Sequence, residues 1–350
     1  MKRVGILGLP QSGKSTLFEI LLQGSGAQPA TSGREAVGVV KVPDERVDRL
    51  SALYQPKKTT TTTIQFVDTV AAGHQSARAS AKGPDLFSGV RNCDALVGVV
   101  RAFENPAVPA AKGVDAARDL RDLDTELVFN DLAICETRLE RIEKDMRIGK
   151  KQAEPEQKVL LRCKACLESE HPLREQTFDE EELRWIRGFQ FLTLKPLLVV
   201  YNQDDASTAA PPAAGIGTRA VALRAHLERE IVTLPPDERL AFRQELGVAE
   251  DGLSLVIRAC YDLLGLISFF TVGPDEVRAW TVHRGDTAVD AAGEIHSDLA
   301  KGFIRAEVIP YDKLLEVGGH APAREKGWLR LEGREYRVQD GDCLEIRFNK

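Results

Sequence analysis

Val4, Ile6 and Leu7 form a short apolar run, and Leu17, Phe18, Leu21 and Leu22 then recur at helical spacing. The chain therefore opens on a buried strand followed by an amphipathic helix. Residues 37–42 and 64–67 read as further strands, while 95–100 and 197–201 are continuous apolar runs fit for strands covered on both faces. Strands alternating with helices predict an α/β fold: a doubly wound, mostly parallel sheet with ligands at the carboxyl ends of its strands. From about residue 118 to 146 the period changes, and Val128, Leu132, Cys135, Leu139, Ile142 and Met146 fall at the alternating steps of a coiled-coil seam. After a break at 149–155, a second helical stretch over 156–168 can pair with the first as an antiparallel hairpin, and sheet-like patterning resumes near Lys195.

From about residue 267 the pattern suggests a separate small domain, with a strand at 277–281 and a helix over 290–300. Asp340-Gly341 predicts a hairpin turn between 336–338 and 344–348. Leu344, Ile346 and Phe348 alternate with Cys343, Glu345 and Arg347, so one face of that strand should be buried and the other wet. A small α+β sheet packed by one helix is the expectation.

The length of 350 residues suits two or three domains, each with its own core. The net charge of −6 argues against a surface generally coated by nucleic acid. A local basic patch facing RNA stays open, and no DNA partner is expected. Six cysteines without dense spacing suit a reducing compartment. Cys163 and Cys166 have no second pair at zinc spacing, and Cys163 continues an apolar seam with Val159. No apolar run is long enough to span a bilayer, and Met1-Lys2-Arg3 is followed by no signal-like segment. A cytoplasmic protein with no membrane partner is expected.

The chemistry concentrates in Gly8-Leu9-Pro10-Gln11-Ser12-Gly13-Lys14-Ser15-Thr16, which lies on the first strand-to-helix turn. This is the pattern of a phosphate-binding loop. Gly8 and Gly13 let the backbone curl so that successive N–H groups face phosphate oxygens, and the helix adds its positive end. Lys14 would reach the β- and γ-phosphates, the Ser15 hydroxyl would ligate Mg²⁺, and Thr16 would support the α-phosphate. Pro10, Gln11, Ser12 and Gly13 complete the nucleotide loop. Asp68 ends the 64–67 strand, where an acidic residue holds Mg²⁺ through a water. Thr31 and Ser32 lie in a Gly-, Ser- and Pro-rich segment where a switch hydroxyl completes the metal shell. Asn202, Gln203 and Asp205 follow the 197–201 strand, the place of the N-K-x-D guanine reader, with Gln203 replacing Lys. A carboxylate there accepts from the adjacent N1–H and 2-amino donors of guanine, a pair that adenine lacks.

Taken together these stretches make the chain resemble the YchF family of Obg-related phosphate-loop nucleotidases over nearly its full length. Residues 8–16 look like the family's G-L-P-N-x-G-K-S-T, and Val42-Pro43-Asp44-Glu45-Arg46 looks like its V-P-D-x-R. Its carboxyl-terminal signature is matched by Phe269-Phe270-Thr271, Asp275-Glu276-Val277-Arg278-Ala279-Trp280-Thr281 and Lys301-Gly302-Phe303-Ile304-Arg305-Ala306-Glu307-Val308. The resemblance implies an Obg-type nucleotide domain in two parts (1–112 and 193–266), an inserted coiled-coil domain (113–192) and a carboxyl-terminal TGS domain of ubiquitin-like β-grasp type (267–350). It also implies ATP ahead of GTP, and contact with the ribosome or RNA.

Three departures bear on turnover and base choice. The family's second switch reads D-x-A-G-L, whereas Asp68-Thr69-Val70-Ala71-Ala72 stands here, and Ala71 lacks the conformational freedom of the glycine it replaces. Pro109 stands near the histidine that the family is thought to use in hydrolysis, and a proline cannot relay a proton. His74 is a candidate replacement for positioning water. Asp205 occurs where family members usually carry Glu. Two readings follow: a slow Mg²⁺-dependent ATPase or GTPase that regulates ribosome binding, or a nucleotide-gated binding module with little hydrolysis.

Overall fold

The structure is a computed structural model that describes all residues except 29, 33–34, 70–86, 108, 111–112, 148–153, 213–214, 216, 249–250 and 350, together with the side chains of 31, 32, 35, 69 and 88. The chain divides into two compact units, Met1–Val40 with Gln65–Cys260 and Lys41–Ile64 with Tyr261–Lys350.

In chain order the first unit begins with strand β1 (Arg3–Gly8), helix α1 (Lys14–Gly24), and strands β2 (Ala30–Ser32) and β3 (Glu35–Lys41). Helix α2 (Glu45–Tyr54) and strand β4 (Lys58–Thr60) then fall in the second unit. The first unit resumes with β5 (Thr63–Thr69), β6 (Ala95–Ala102), α3 (Ala116–Arg147), α4 (Glu154–Glu168) and α5 (Glu180–Ile186). It continues through β7 (Leu197–Gln203), β8 (Thr218–Leu223), α6 (Ala225–Thr233), α7 (Pro236–Glu245) and α8 (Gly252–Leu263). Its sheet has the order β2-β3-β5-β1-β6-β7-β8, and the β5-β1-β6-β7-β8 pairings are parallel. In the Gly-, Ser- and Pro-rich segment that holds Thr31 and Ser32, β2 pairs antiparallel with β3.

Helices α3 and α4 run antiparallel. Cys135 lies opposite Leu160 and Arg138 opposite Glu156, with Arg138 Nε donating to Glu156 Oε1 at 2.7 Å. Val128, Cys135, Leu139 and Ile142 bury themselves against Val159, Leu160, Cys163 and Leu167, while Leu132 and Met146 pack at the margin.

The second unit adds strands β9 (Leu266–Val272) and β10 (Glu276–His283), helices α9 (Ala288–Ile295) and α10 (Ser297–Lys301), and strand β11 (Phe303–Pro310). Helices α11 (Tyr311–Val317) and α12 (His320–Glu325) and strands β12 (Arg330–Glu332) and β13 (Asp342–Phe348) complete it. The sheet order is β12-β11-β13-β9-β10-β4. The 336–338 segment does not pair with β13, because β11 and β9 already occupy the two edges of that strand. Its hydrogen bonds go to the 286–288 turn instead, Ala288 N–H to Tyr336 O and Val338 N–H to Asp286 O.

The sheet is also covered on both faces rather than by one helix. Phe269, Val308 and Leu344 pack with Ala288, Ala291 and Ala292 of α9 on one side. Their chain neighbours Phe270, Ile309 and Cys343 point to the other side and meet Val47 and Leu50 of α2, with Leu314 and Ala323. Cys343 is buried for that reason, and the wet face inferred from the alternation is lost there. The helix read over 290–300 is two helices, broken at His296, whose backbone is extended.

The V-P-D-x-R stretch is a clasp within this unit. Asp44 caps α2 by accepting from Arg46 N–H, and Arg46 Nη1 donates at 2.9 Å to Asp340, 294 positions away. The guanidinium also lies over Phe270 and Tyr311. Burial opposes its charge, but the hydrogen bonds it donates to Asp44 and Asp340 carry its pKa above the ordinary arginine value.

Tyr54 of α2 meets His320 Nδ1 at 2.7 Å. Burial pushes the His320 pKa below its usual value, against the pull of Glu345 and Glu307. The unfolded chain therefore binds the extra proton first, and stability is lost as pH falls below about 6.5 toward the folded-state value. His320→Gln should flatten the acid side of a Tm-against-pH profile between pH 7.5 and 5. A variant profile parallel to that of the parent would remove His320 from the account.

Candidate functional site

The parallel pairing sets Ile6 beside Asp68, Gly8 beside Val99, and Arg101 beside Asn202. The carboxyl ends of β1, β5, β6 and β7 thus meet at one edge of the sheet, the crevice where doubly wound sheets take ligands. The 8–16 loop crosses this edge. Gly8 lies so close to its neighbours that an added Cβ would stand 2.6 Å from Val99 O and 2.7 Å from Ser12 Oγ. Gly13 has φ 95°, and a Cβ there would meet Asn202 Nδ2 at 2.3 Å. Only glycine meets both demands at Gly13. Gln11 also takes positive φ, at 67°. Leu17 N–H bonds to Gly13 O at 2.9 Å, so α1 starts directly behind the loop and its first N–H groups face the crevice.

Asn202 ties the loop in place. Its Nδ2 donates to Ser12 O at 3.1 Å, and its Oδ1 accepts from Ala225 N–H of α6 at 3.1 Å. Both ends of this buried amide are spent on backbone. Asn202→Ala should therefore lower stability by about 2 kcal/mol, through the unsatisfied Ala225 N–H and Ser12 carbonyl. Denaturant unfolding that leaves the midpoint in place would show that the strap contributes nothing.

Asp68 is 6 % exposed, and its Oδ1 has no hydrogen-bond partner among the described residues. Burial pushes its pKa up to about 6, against the opposing pull of Lys14 and with a small push from Glu19. A buried carboxylate with an orphaned oxygen and an ammonium nearby is suited to a cation of its own. Lys14 and Thr16 are half-exposed, while Pro10, Gln11 and Ser15 are exposed.

A cavity of about 340 Å³ continues from Gly13 and Thr16 past Asn202 to Phe103, Asp205 and His226. Gln203 lines it but spends its amide locally, Nε2 donating to Ala209 O and Oε1 accepting from Ser207 Oγ. Asp205 Oδ1 accepts from Leu227 N–H at 3.0 Å, and Oδ2 lies 2.7 Å from His226 Nδ1. Thr31 and Ser32 pair through their backbones with Ala36 and Glu35, and their side chains lie outside the described set. His74 and Ala71 lie outside the described residues. Pro109 is exposed.

Sequence reasoning passed over Arg101, Phe103 and His226. Arg101 is 4 % exposed; its Nε donates to Phe103 O at 3.1 Å, and the guanidinium lies 4.7 Å from the Phe103 ring centre. The Nη1 reaches Gln11 Oε1 at 3.5 Å, at the limit of a hydrogen bond. A charge ending the apolar 95–100 run was the available signal. His226 gave none, because its partner Asp205 is 21 positions away.

Over 361 aligned residues, covering 99 % of this chain and 98 % of the relative, the sequence is 40 % identical to the ribosome-binding ATPase YchF of Bacillus subtilis (strain 168). The chain belongs to the YchF family. It is also 39 % identical to the ribosome-binding ATPase YchF of Escherichia coli O157:H7, with 99 % of each chain covered. The solved YchF GTPase of Schizosaccharomyces pombe superposes with a TM-score of 0.81 at 28 % identity, covering 99 % of this chain and 97 % of that one. The family model YchF-GTPase_C, described as a protein of unknown function (DUF933), matches residues 266–349. In this YchF chain the matched residues lie within the second unit, whose sheet also takes in β4 and whose core takes in α2, both from the 41–64 excursion.

Proposed function

We propose that this YchF chain is a slow, Mg²⁺-dependent P-loop nucleoside triphosphate hydrolase, acting on ATP or GTP, whose nucleotide state sets its docking on the ribosome. The observation that carries the reading is Asp68: a buried carboxylate with an unpartnered oxygen at the mouth of α1, within the field of Lys14. The residues fit a magnesium ion. Ser15 and Asp68 offer the hard oxygen donors it takes, and would hold it while it keeps several waters. When bound, the ion would neutralise charge on the phosphates.

The chain's own groups do the rest. The N–H groups from Gly13 to Thr16 and the start of α1 orient the phosphates, with Thr16 at the α-phosphate. Lys14 stabilises charge on the γ-phosphate oxygens as the bond to the leaving group lengthens. Thr31 and Ser32 are proposed as switch hydroxyls and His74 as a group that positions water. The α3/α4 hairpin is read as the inserted coiled-coil domain and the second unit as a TGS domain. Ribosome docking is supported by the relatives, which are named ribosome-binding ATPases. Among the described residues no helix is long and apolar enough to cross a membrane.

Pro109 favours a second reading, a nucleotide-gated binding module with little turnover. Single-turnover hydrolysis with excess protein and Mg²⁺ separates the two. Phosphate release above the uncatalysed background is the expected result. Tight nucleotide binding without release would hand the case to the module, and loss of ATP affinity on chelating Mg²⁺ is expected under either.

A further inference from the structure

The cavity beside the 8–16 loop is lined at its Asp205 end by a side-chain pair that base reading by Asp205 does not itself require. His226, in the first turn of α6, brings Nδ1 to 2.7 Å from Asp205 Oδ2, while Leu227 N–H donates to Oδ1 at 3.0 Å. Arg224 Nη1 holds the Asp205 carbonyl at 3.2 Å. A carboxylate reads guanine by taking the N1–H on one oxygen and the 2-amino group on the other. Here each oxygen already accepts a hydrogen bond from α6.

We propose that His226 sets the base preference of this chain by holding the Asp205 carboxylate in competition with the adjacent N1–H and 2-amino donors of a guanine, an inference that rests on the nucleotide site proposed above. An ionised carboxylate has about four acceptor positions, so guanine is not shut out. Its donors must share an engaged acceptor or displace the imidazole. Adenine offers no such adjacent donor pair, and loses nothing when Asp205 is occupied. The two competitors are unequal in how firmly they sit. Leu227 donates from the backbone, and is fixed by the helix. The His226 side chain is 58 % exposed and free to swing into solvent, so the imidazole is the adjustable partner. An exposed pair of this kind sets the size of the effect at about threefold to fivefold in affinity.

Calorimetric titration of the full chain with non-hydrolysable ATP and GTP analogues in Mg²⁺ tests the idea. His226→Ala should tighten the GTP analogue about threefold to fivefold and leave the ATP analogue unchanged. Adding Asp205→Ala should abolish that gain, since the acceptor that His226 guards is then gone. The inference is overturned if both analogues bind the parent chain and His226→Ala leaves their ratio as it was, or if the gain survives in the double variant. If the parent binds neither analogue, the nucleotide site itself fails and the base preference falls with it. Thermal unfolding of both variants without nucleotide checks that the exposed substitution has left the fold alone.

Discussion

Lys14→Ala is expected to weaken triphosphate binding about 10- to 100-fold and to slow single-turnover hydrolysis about 100- to 1,000-fold. The binding figure follows from a charge-assisted hydrogen bond of about 1.5–3 kcal/mol, with each 1.4 kcal/mol worth a factor of ten. The hydrolysis figure is larger because charge on the γ-phosphate oxygens grows toward the transition state, where the ammonium acts most strongly. A second effect adds to the first. Lys14 draws the Asp68 pKa down against burial, so its loss lets that carboxylate protonate at higher pH and weakens its hold on Mg²⁺. The fold should not notice, since Lys14 is half-exposed at the start of α1 and Ala is the best helix former. Isothermal titration with a non-hydrolysable analogue and phosphate release under single-turnover conditions check both numbers. Unchanged affinity alongside an unchanged Tm would mean that the loop is a relic and the chain a scaffold.

The loop and its strand-helix setting were legible because everything that specifies them is local. Glycine spacing, an apolar strand and a helical period all fall within the first 22 residues, and Asp68 is reached by counting to the end of a strand. A second, smaller sheet after residue 260 was legible, but the share of residues 41–64 in it was not. Val47 and Leu50 announce an amphipathic helix, but nothing in their period says that the sheet they cover is built mostly from residues beyond 260. The same limit hid the clasp of Arg46 on Asp340 and the 336–338 segment, whose partners are fixed only once β13 has both edges filled. In the site, sequence order puts Asn202 and Asp205 just past the 197–201 strand; Asn202 lies within β7 and Asp205 two residues beyond it. What they touch was beyond reach, because the partners Ser12, Ala225 and His226 arrive from other elements.

Asp131→Ala should cost the first unit about 3–5 kcal/mol. Asp131 lies on α3 beside the seam residue Leu132, at a flanking position of the heptad where a charged side chain is ordinarily solvated. It is fully buried. Its Oδ1 accepts from Leu192 N–H at 3.0 Å, and its Oδ2 accepts from both Thr193 N–H and Thr193 Oγ1 at 2.7 Å. Arg91 Nη1 stands 3.7 Å from Oδ1. Burial raises the Asp131 pKa, with the Thr193 and Leu192 hydrogen bonds opposing it, so the ionised form is held by those donors. Truncation would strand two backbone N–H groups and one hydroxyl where water does not reach. The consequence is not confined to α3. Leu192 and Thr193 lead into β7, the strand that carries Asn202 to the crevice, and Asp131 is what fixes that approach to the long helix. Asp131→Asn keeps the volume but turns an amide N–H₂ toward groups that are themselves donors, so it should recover only part of the loss. With a fall of about 2–4 °C per kcal/mol for a unit of this size, Tm should drop by roughly 10 °C in Asp131→Ala. Asp122→Ala, on an exposed turn of the same helix, should stay within about 0.5 kcal/mol of the parent. Equal losses in the two variants would mean that α3 is sensitive to any substitution and that the Asp131 contacts do not carry the junction.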